Sequence, residues 1–352
     1  MRFLFLAGCT LAALAGHAQT FSAPESVAYD GARHRWLVSQ NGVNRIDAYR
    51  PGAGGLTTFA TGLSSGPHGL EVLGDTLYAC DGGHVRGFAL ASGAAVFDVN
   101  LGGSFLNGLT TDGTRYLFAT DFSARRIYRV DARTGAFNLL TTTVRIPNGI
   151  AYDGANNRLV LVTWGNNAPV QAISLADSTV STLRTTSLSN CDGITRDPAG
   201  NWYVTAWGTN ALHRFDSAFA APPVQVRSGL SNPADIEANA AGDSIAIPNA
   251  GGANNVVFFT GTLTGLMPPA TLQPLRCWPN PAADQCTVQT EPPGPGATLV
   301  LRDAAGRLVR RQPLAGARTV VMRAGLPAGF YHVAVYDAAQ RLRAAQKIAF
   351  VD

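Results

Sequence analysis

The sequence repeats one short motif six times, and this repetition constrains the fold more than any other feature. A turn and a β-rich segment follow each copy, and two further short strands fit into most of the periods. Four strands in about 42 residues form one blade of a β-propeller. We therefore predict an all-β chain with a six-bladed propeller over residues 19–262. The repeated cores are residues 24–27, 67–70, 106–109, 147–150, 191–194 and 233–236.

The charge distribution argues against binding of nucleic acid. Residues 19–275 carry 16 arginines and 18 acidic residues, so this segment has a charge of −2. Residues 276–352 carry nine arginines and one lysine against five acidic residues, which gives +5. The predicted propeller therefore lacks a basic footprint for phosphate groups. Because Lys347 is the only lysine, Schiff-base chemistry in the propeller is excluded as well.

The first 18 residues have the layout of a secretory signal peptide. Arg2 precedes an apolar stretch over residues 3–15, and small residues at positions 16 and 18 suit cleavage before Gln19. A lipoprotein signal that ends at Cys9 is the alternative. The apolar stretch is too short for a transmembrane helix, and we predict no transmembrane segment elsewhere. We expect an exported protein that is secreted or attached to the outer-membrane surface.

Export places the remaining four cysteines in an oxidising environment. Cys277 and Cys286 flank a Trp-Pro-Asn-Pro turn, so a local disulfide and two free thiols are both open interpretations. Cys80 and Cys191 belong to repeats that should lie far apart, which argues against a disulfide between them. The Cys and His spacing does not match a zinc site.

The composition changes after a proline-containing linker, which we predict over residues 263–276. Residues 277–352 contain short alternating segments separated by turn signals, a pattern typical of a small Ig-like β-sandwich. Three motifs in this part, at residues 278–282, 303–307 and 326–331, resemble the C-terminal sorting domain of type IX secretion. The resemblance implies that the type IX secretion machinery carries the protein across an outer membrane. A carbohydrate-binding or spacer sandwich is the alternative.

The second residue of each repeated core is a candidate functional residue, because blades related by rotation place equivalent residues at one height around the channel. Two carboxylates and two amides in this ring are hard oxygen ligands that suit a divalent cation, with calcium the best match. Asn-Gly and Asp-Gly are also common in turns, which leaves a turn interpretation open, although Glu is a poor turn residue. We expect Asp235 to lie below the ring. The ring residues are Glu25, His68, Asn107, Asn148, Asp192 and Ala234.

These residues resemble the metal site of the gluconolactonase and regucalcin family, whose members are six-bladed propellers that hydrolyse lactones with a divalent ion. The resemblance implies that Glu25, Asn148 and Asp192 bind the metal directly. It implies that Asn107 contacts the metal through water or the substrate. His68 resembles a proposed catalytic base of the related paraoxonase propellers.

The sequence departs from this family where the family binds sugar lactones. Phe105 and Gly108 stand where the family usually carries Arg and Asp, so a more apolar ester or lactone fits Phe105 better. Four further candidates for substrate binding follow the second strands of their repeats, although the two tryptophans among them also suit a packing role. They are Asp81, Asp121, Trp164 and Trp207.

These features predict an exported, metal-dependent hydrolase of small lactones or esters that acts as a monomer. The ion would polarise the substrate carbonyl and lower the pKa of a bound water, with His68 as the base and Asp192 as the second choice. The alternative is a non-catalytic binding propeller with a structural channel ion. A nucleophilic serine elbow, a Walker loop and a dinucleotide fingerprint are absent from the sequence.

Overall fold

The computed structural model describes residues 21–51, 55–239, 242–259, 275–290, 296–303, 308–314, 316–336 and 342–351. The chain divides into two compact units, Met1–Thr260 and Gly261–Asp352. The predicted signal peptide and most of the predicted linker lie outside the described residues. The helical segments of the described part are three single 3₁₀ turns, and none has the length or apolar character that a bilayer crossing requires. They are Asn41–Val43, Gly154–Asn156 and Trp207–Thr209.

The first unit is a six-bladed β-propeller. Each blade is an antiparallel sheet of strands consecutive in the chain, and the first strand of each sheet contacts the first strand of the next around a closed circle. Blades 1 to 3 consist of β1 (Pro24–Asp30), β2 (Arg35–Gln40), β3 (Arg45–Tyr49) and β4 (Thr57–Ala60); β5 (Leu70–Leu73), β6 (Thr76–Asp81), β7 (His84–Ala89) and β8 (Ala95–Asn100); and β9 (Leu106–Thr111), β10 (Tyr116–Asp121), β11 (Arg126–Asp131) and β12 (Phe137–Thr142).

Blades 4 and 5 repeat this order, and three strands of blade 6 lie in the described residues. Blades 4 to 6 consist of β13 (Ile146–Asp153), β14 (Arg158–Trp164), β15 (Val170–Ser174) and β16 (Val180–Arg184); β17 (Cys191–Arg196), β18 (Trp202–Ala206), β19 (Ala211–Phe215) and β20 (Val224–Arg227); and β21 (Glu237–Ala238), β22 (Ile245–Asn249) and β23 (Asn255–Phe259).

The hydrophobic core of the propeller lies between neighbouring blades, because both faces of each sheet are covered. In β14, Leu159 and Leu161 pack with residues of blade 3, whereas Val160 and Val162 pack with residues of blade 5. All four are fully buried, so the second strand is a continuous apolar segment. Successive side chains of a strand point to opposite faces, which explains this division. The outermost strands, such as β12, are largely exposed.

Hydrogen bonds and apolar packing close the propeller between blades 6 and 1. The amide of Phe21 donates to the carbonyl oxygen of Asn254 (3.0 Å), and the amide of Ala23 donates to Asn254 Oδ1 (3.1 Å). Trp36 of blade 1 packs against Phe258 of blade 6, with ring centroids 5.7 Å apart.

The second unit is a small β-sandwich with one apolar core between its two sheets. Cys277 and Cys286 are both buried in this core as free thiols, so the structure shows the second of the two interpretations left open by the sequence. Of the sorting-domain motifs, residues 304–307 lie outside the described part. The sheets have the orders β24 (Arg276–Trp278), β25 (Gln285–Gln289), β28 (Arg318–Met322) and β27 (Leu308–Pro313), β26 (Thr298–Asp303), β29 (Gly329–Tyr336), β30 (Leu342–Phe350).

Candidate functional site

The ring residues lie at β-bulges in the inner strands. In blades 1, 3, 4 and 5 the register between the first and second strands shifts around the second and third residues of the repeated core. In blade 4, for example, Pro147 pairs with Thr163 and Ile150 pairs with Leu161, so Asn148 and Gly149 lie opposite Val162 alone. A bulge interrupts the alternation of a strand and redirects a side chain. The bulge therefore allows a polar residue to face the channel within an otherwise apolar strand.

The glycine after the ring residue allows neighbouring inner strands to meet. A Cβ atom on Gly69, Gly108, Gly149 or Gly193 would lie within 3.0 Å of main-chain atoms in the core of the next blade. For Gly149 the nearest atom would be the carbonyl oxygen of Asp192. None of these four glycines has a positive φ. The dipeptides therefore belong to closely packed inner strands, and the turn interpretation of Asn-Gly and Asp-Gly is wrong here.

Hydrogen bonds join the cores of all six blades into a closed belt. Each pair of neighbouring blades shares at least one such bond, and this belt fixes the spacing of the ring residues. From blade 1 onward the bonds are Leu70 N to Ser26 Oγ (2.9 Å), Gly69 N to Asn107 O (2.7 Å), Thr120 Oγ1 to Asn148 O (2.9 Å), Asn148 Nδ2 to Cys191 O (3.2 Å), Thr205 Oγ1 to Ala234 O (2.9 Å) and Asp235 N to Glu25 O (2.9 Å).

The ring presents oxygen atoms that lack partners. Asn148 and Asp192 are almost fully buried, and Oδ1 of each has no hydrogen-bond partner among the described residues. The Asn148 amide nitrogen donates to Cys191 O, so its oxygen is the free end. Buried unpaired polar atoms are costly unless a ligand or water satisfies them. Asn107 is also buried, and the partly exposed Glu25 adds a second carboxylate.

This donor set fits a hard divalent cation rather than zinc. Within the described residues, no group of three or more His, Cys, Asp or Glu side chains is arranged to hold a metal ion. A cation in the ring would therefore depend on the carboxylates of Glu25 and Asp192 together with the amide oxygen of Asn148. Calcium accepts such mixed carboxylate and amide sets.

The two ring carboxylates repel each other at a site that water reaches poorly. Burial raises the pKa of Glu25 to about 7, and the nearby Asp235 adds to this rise. Burial also raises the pKa of Asp192 well above its usual range, and Glu25 and Asp235 add to this rise, whereas hydrogen bonds with Trp207 and Asn148 oppose it. Neither ring carboxylate forms an ion pair with a basic side chain in the part of the chain that the structure describes. A cation would allow both groups to ionise together.

His68 lies in the ring as a neutral side chain, and its Nε2 already accepts a hydrogen bond. The Asn41 amide nitrogen donates to His68 Nε2 (2.9 Å), and the imidazole packs edge-on against Phe105 with centroids 4.6 Å apart. Burial lowers the pKa of His68 to about 4. Since a base with this pKa accepts a proton only weakly at pH 7, the geometry favours the ring carboxylates for proton transfer.

Aromatic side chains of blades 3 to 5 form a continuous arc, which we call the aromatic arc: Phe105, Phe122, Trp164 and Trp207. Successive ring centroids lie 5.5, 5.8 and 5.0 Å apart, and all four side chains are partly exposed. Through Phe105 the arc contacts His68 of the ring. Sequence reasoning missed Phe122, although it directly follows the second strand of blade 3 as Trp207 follows that of blade 5.

Asp81 and Asp121 accept hydrogen bonds from the loop segments that precede the inner strands of their blades. Both are fully buried. Asp81 accepts hydrogen bonds from the amides and hydroxyls of Ser64 and Ser65. Burial opposes ionisation of Asp81, but these bonds outweigh it and lower the pKa. Asp121 accepts hydrogen bonds from the amides of Ser104, Phe105 and Ala124, so it holds Phe105 through the backbone.

A cavity of about 350 Å³ lies further along the inner strands, past the ring. One aliphatic residue from each blade lines it, together with Glu71, Asp235 and Glu237. Burial raises the pKa of Asp235 to about 7 and of Glu237 to about 8, and it raises that of Glu71 well above its usual range. Ser26 Oγ donates to Asp235 Oδ2 (2.7 Å) beneath the ring. Sequence reasoning missed Glu71 and Glu237, whose signal is a carboxylate directly after the apolar fourth core residue.

Comparisons with known proteins establish the fold and no more. A protein of unknown function from Bacteroides thetaiotaomicron is 15% identical with a TM-score of 0.56, and the match covers 68% of this chain and 69% of that one. A chain in the structure of a nidogen–laminin complex is 13% identical with a TM-score of 0.55, and the match covers 82% of this chain and 97% of that one. The chain contains a β-propeller. No family model and no curated protein matches the sequence.

Proposed function

We propose that the chain is a divalent-cation-dependent hydrolase of small apolar esters or lactones, which acts at the ring of the propeller. The observation that carries the proposal is that Oδ1 of Asn148 and Oδ1 of Asp192 are buried without a hydrogen-bond partner among the described residues, with the carboxylate of Glu25 close enough to raise the pKa of Asp192. The resemblance of these residues to the gluconolactonase and regucalcin metal site supports the same function. The aromatic arc supports an apolar substrate.

In this proposal different residues bind the cation, orient the substrate and transfer the proton. Glu25, Asn148 and Asp192 would hold the cation, which when bound supplies Lewis acidity and an acidified water. The aromatic arc would orient the apolar part of the substrate and exclude water. A ring carboxylate, Asp192 or Glu25, would take up the proton of the attacking water and return it to the leaving oxygen. Water adds to the acyl carbon and the bond to the ester oxygen breaks, which yields a carboxylic acid and an alcohol.

A non-catalytic binding propeller with a structural ion is the second candidate. The observation that favours it is that burial lowers the pKa of His68 to about 4 and that its Nε2 already accepts a hydrogen bond from Asn41, because both make His68 a weak base. In this case a cation would only neutralise the buried carboxylates.

Hydrolysis assays with matched variants test the two functions. We expect the wild type to hydrolyse phenyl acetate or a small γ-lactone in the presence of CaCl₂ and to lose this activity with a chelator. Glu25→Gln and Asp192→Asn should reduce the rate by about 100-fold or more, because each removes a ligand charge. Glu71→Gln is the matched control, a neutralised carboxylate outside the ring that should keep the rate. Equal rates in all variants would contradict the proposal, and a rise in Tm with CaCl₂ without hydrolysis would support the second candidate.

We also propose that the protein is exported and then carried across an outer membrane by type IX secretion. The signal-like layout of residues 1–18 and the sorting motifs at 278–282, 303–307 and 326–331 support this. N-terminal sequencing of the mature protein should give Gln19 as the first residue. Retention of residues 1–18 in the exported protein would contradict the cleavage site.

A further inference from the structure

Two buried threonine hydroxyls tie neighbouring blades together at the level of the ring. Thr120 Oγ1 accepts a hydrogen bond from the amide of Gly108 (2.8 Å) in its own blade and donates to Asn148 O (2.9 Å) in the next. Thr205 Oγ1 accepts from the amide of Gly193 (2.7 Å) and donates to Ala234 O (2.9 Å). Both threonines are fully buried. Each hydroxyl therefore hydrogen-bonds to an amide in the bulge of one blade and to the main-chain oxygen of the ring residue in the next blade.

The two bridges are alike in chemistry and differ in what they hold. Thr120 holds Asn148, whose side-chain oxygen is buried and free to bind a ligand. Thr205 holds Ala234, which has no ligand atom in its side chain, and it also accepts a hydrogen bond from the amide of Gly193, directly after Asp192. Asn148 is thus held at two points, its main-chain oxygen by Thr120 and its amide nitrogen by Cys191 O. Together these bonds fix the main chain and the amide plane of Asn148, leaving Oδ1 for the ring.

We infer that Thr120 is a positioning residue for the cation site, because its hydroxyl sets the place of Asn148 Oδ1 relative to the carboxylates of Asp192 and Glu25. This inference rests on the proposed function. Ligand atoms bind a cation well only when the residues behind them hold the correct geometry, and loss of such support typically weakens metal binding 10- to 100-fold. A Thr120 variant should therefore affect the cation, whereas the same change at Thr163, a buried threonine whose hydroxyl donates to Pro169 O (3.0 Å) and not to a ring residue, should not.

Calorimetric titration of the full chain with CaCl₂ tests the inference. Thr120→Val removes the hydroxyl at nearly constant volume, and Val162 occupies the corresponding position of blade 4, which shows that the fold accommodates valine there. We expect Thr120→Val to weaken calcium binding about 10-fold. Thr163→Val is the matched control, with a similar fall in Tm and unchanged affinity. Thr120→Ser keeps the hydroxyl and should retain the wild-type affinity even if the valine variant fails to fold.

The outcomes separate the inference from the proposed function. Equal calcium affinity in the wild type and Thr120→Val overturns the inference. An equal loss of affinity in Thr120→Val and Thr163→Val overturns it too, because the effect would then be general destabilisation. Weakened binding in Thr120→Ser overturns it as well. If the wild type binds neither calcium nor another divalent cation, the proposed function fails first and the inference fails with it.

Discussion

The packing of the ring depends on glycines, which have no side chain, as much as on the polar ring residues. Glycines follow the ring residues in blades 2 to 5, where the inner strands come closest to one another. At the junction of blades 6 and 1 two polar residues replace glycine: Ser26 and Asp235 occupy the corresponding positions and hydrogen-bond to each other. The junction that closes the propeller therefore adds a side-chain hydrogen bond to the main-chain bond from Asp235 N to Glu25 O (2.9 Å).

A Gly149→Ala substitution should destabilise the propeller by about 2–3 kcal/mol, since its Cβ would overlap the main chain of Asp192 and force the blades apart. Urea unfolding measures this change. Gly31→Ala is the control, because its Cβ would meet only the Tyr29 side chain at 3.7 Å. An equal midpoint for the two variants would show that the inner strands can separate without loss of stability.

At the scale of the structural element, the ends of the second strands connect the loops to the ring. Asp121 ends β10 and holds the segment before β9 through the amides of Ser104 and Phe105. Phe105 in turn contacts His68 and begins the aromatic arc. One buried carboxylate therefore places both the entry to an inner strand and an aromatic side chain of the candidate site.

An Asp121→Ala substitution should lower stability by about 1–3 kcal/mol, because it leaves the partly buried amides of Ser104, Phe105 and Ala124 without their acceptor. Thermal unfolding provides the measurement. Asp98→Ala removes an exposed carboxylate that pairs with His84, so its effect should be small. Unchanged stability in Asp121→Ala would contradict the structural role, and this carboxylate would return as a candidate for substrate binding.

At the scale of the whole molecule, the channel concentrates negative charge. Glu25 and Asp192 lie in the ring, and Glu71, Asp235 and Glu237 line the cavity beyond it, with burial raising the pKa of each carboxyl. The folded protein therefore holds protons that the unfolded chain releases near pH 4.5. Cations or protons must balance this charge in the folded state.

Stability should fall as the pH rises from about 4.5 to about 8. In this range the unfolded chain has lost protons that the folded channel still holds. Each further unit of pH therefore lowers the free energy of unfolding. For the metal-free protein we expect a loss of roughly 2–4 kcal/mol between pH 5 and pH 8, a figure discounted because water reaches four of the five carboxyls. Differential scanning calorimetry at a series of pH values measures this loss of stability. Glu237→Gln, which removes the group with a pKa of about 8, should flatten the profile, and a wild type more stable at pH 8 than at pH 5 would contradict the prediction.

Local sequence patterns were sufficient to predict the six blades, the ring positions and the second β unit. The period of 39 to 44 residues predicted six blades because each blade is one continuous segment of chain, and its strands pair with their neighbours in sequence. The same period located Glu25, Asn148 and Asp192, because equivalent positions of repeated units face one axis. The alternating segments after residue 277 predicted the sandwich in the same way.

The sequence by itself determined the all-β class, the number of blades, the second β unit and the ring positions, because each follows from a regular period or from residues near in the chain. Only the tertiary structure decided that His68 is neutral, that Asp121 supports a loop, that Thr120 holds Asn148, and that Asn254 helps to join the last blade to the first. These facts depend on burial and on contacts between residues of different strands and blades. Such contacts leave no periodic trace in a single sequence, since the partners meet only when the blades pack around the axis.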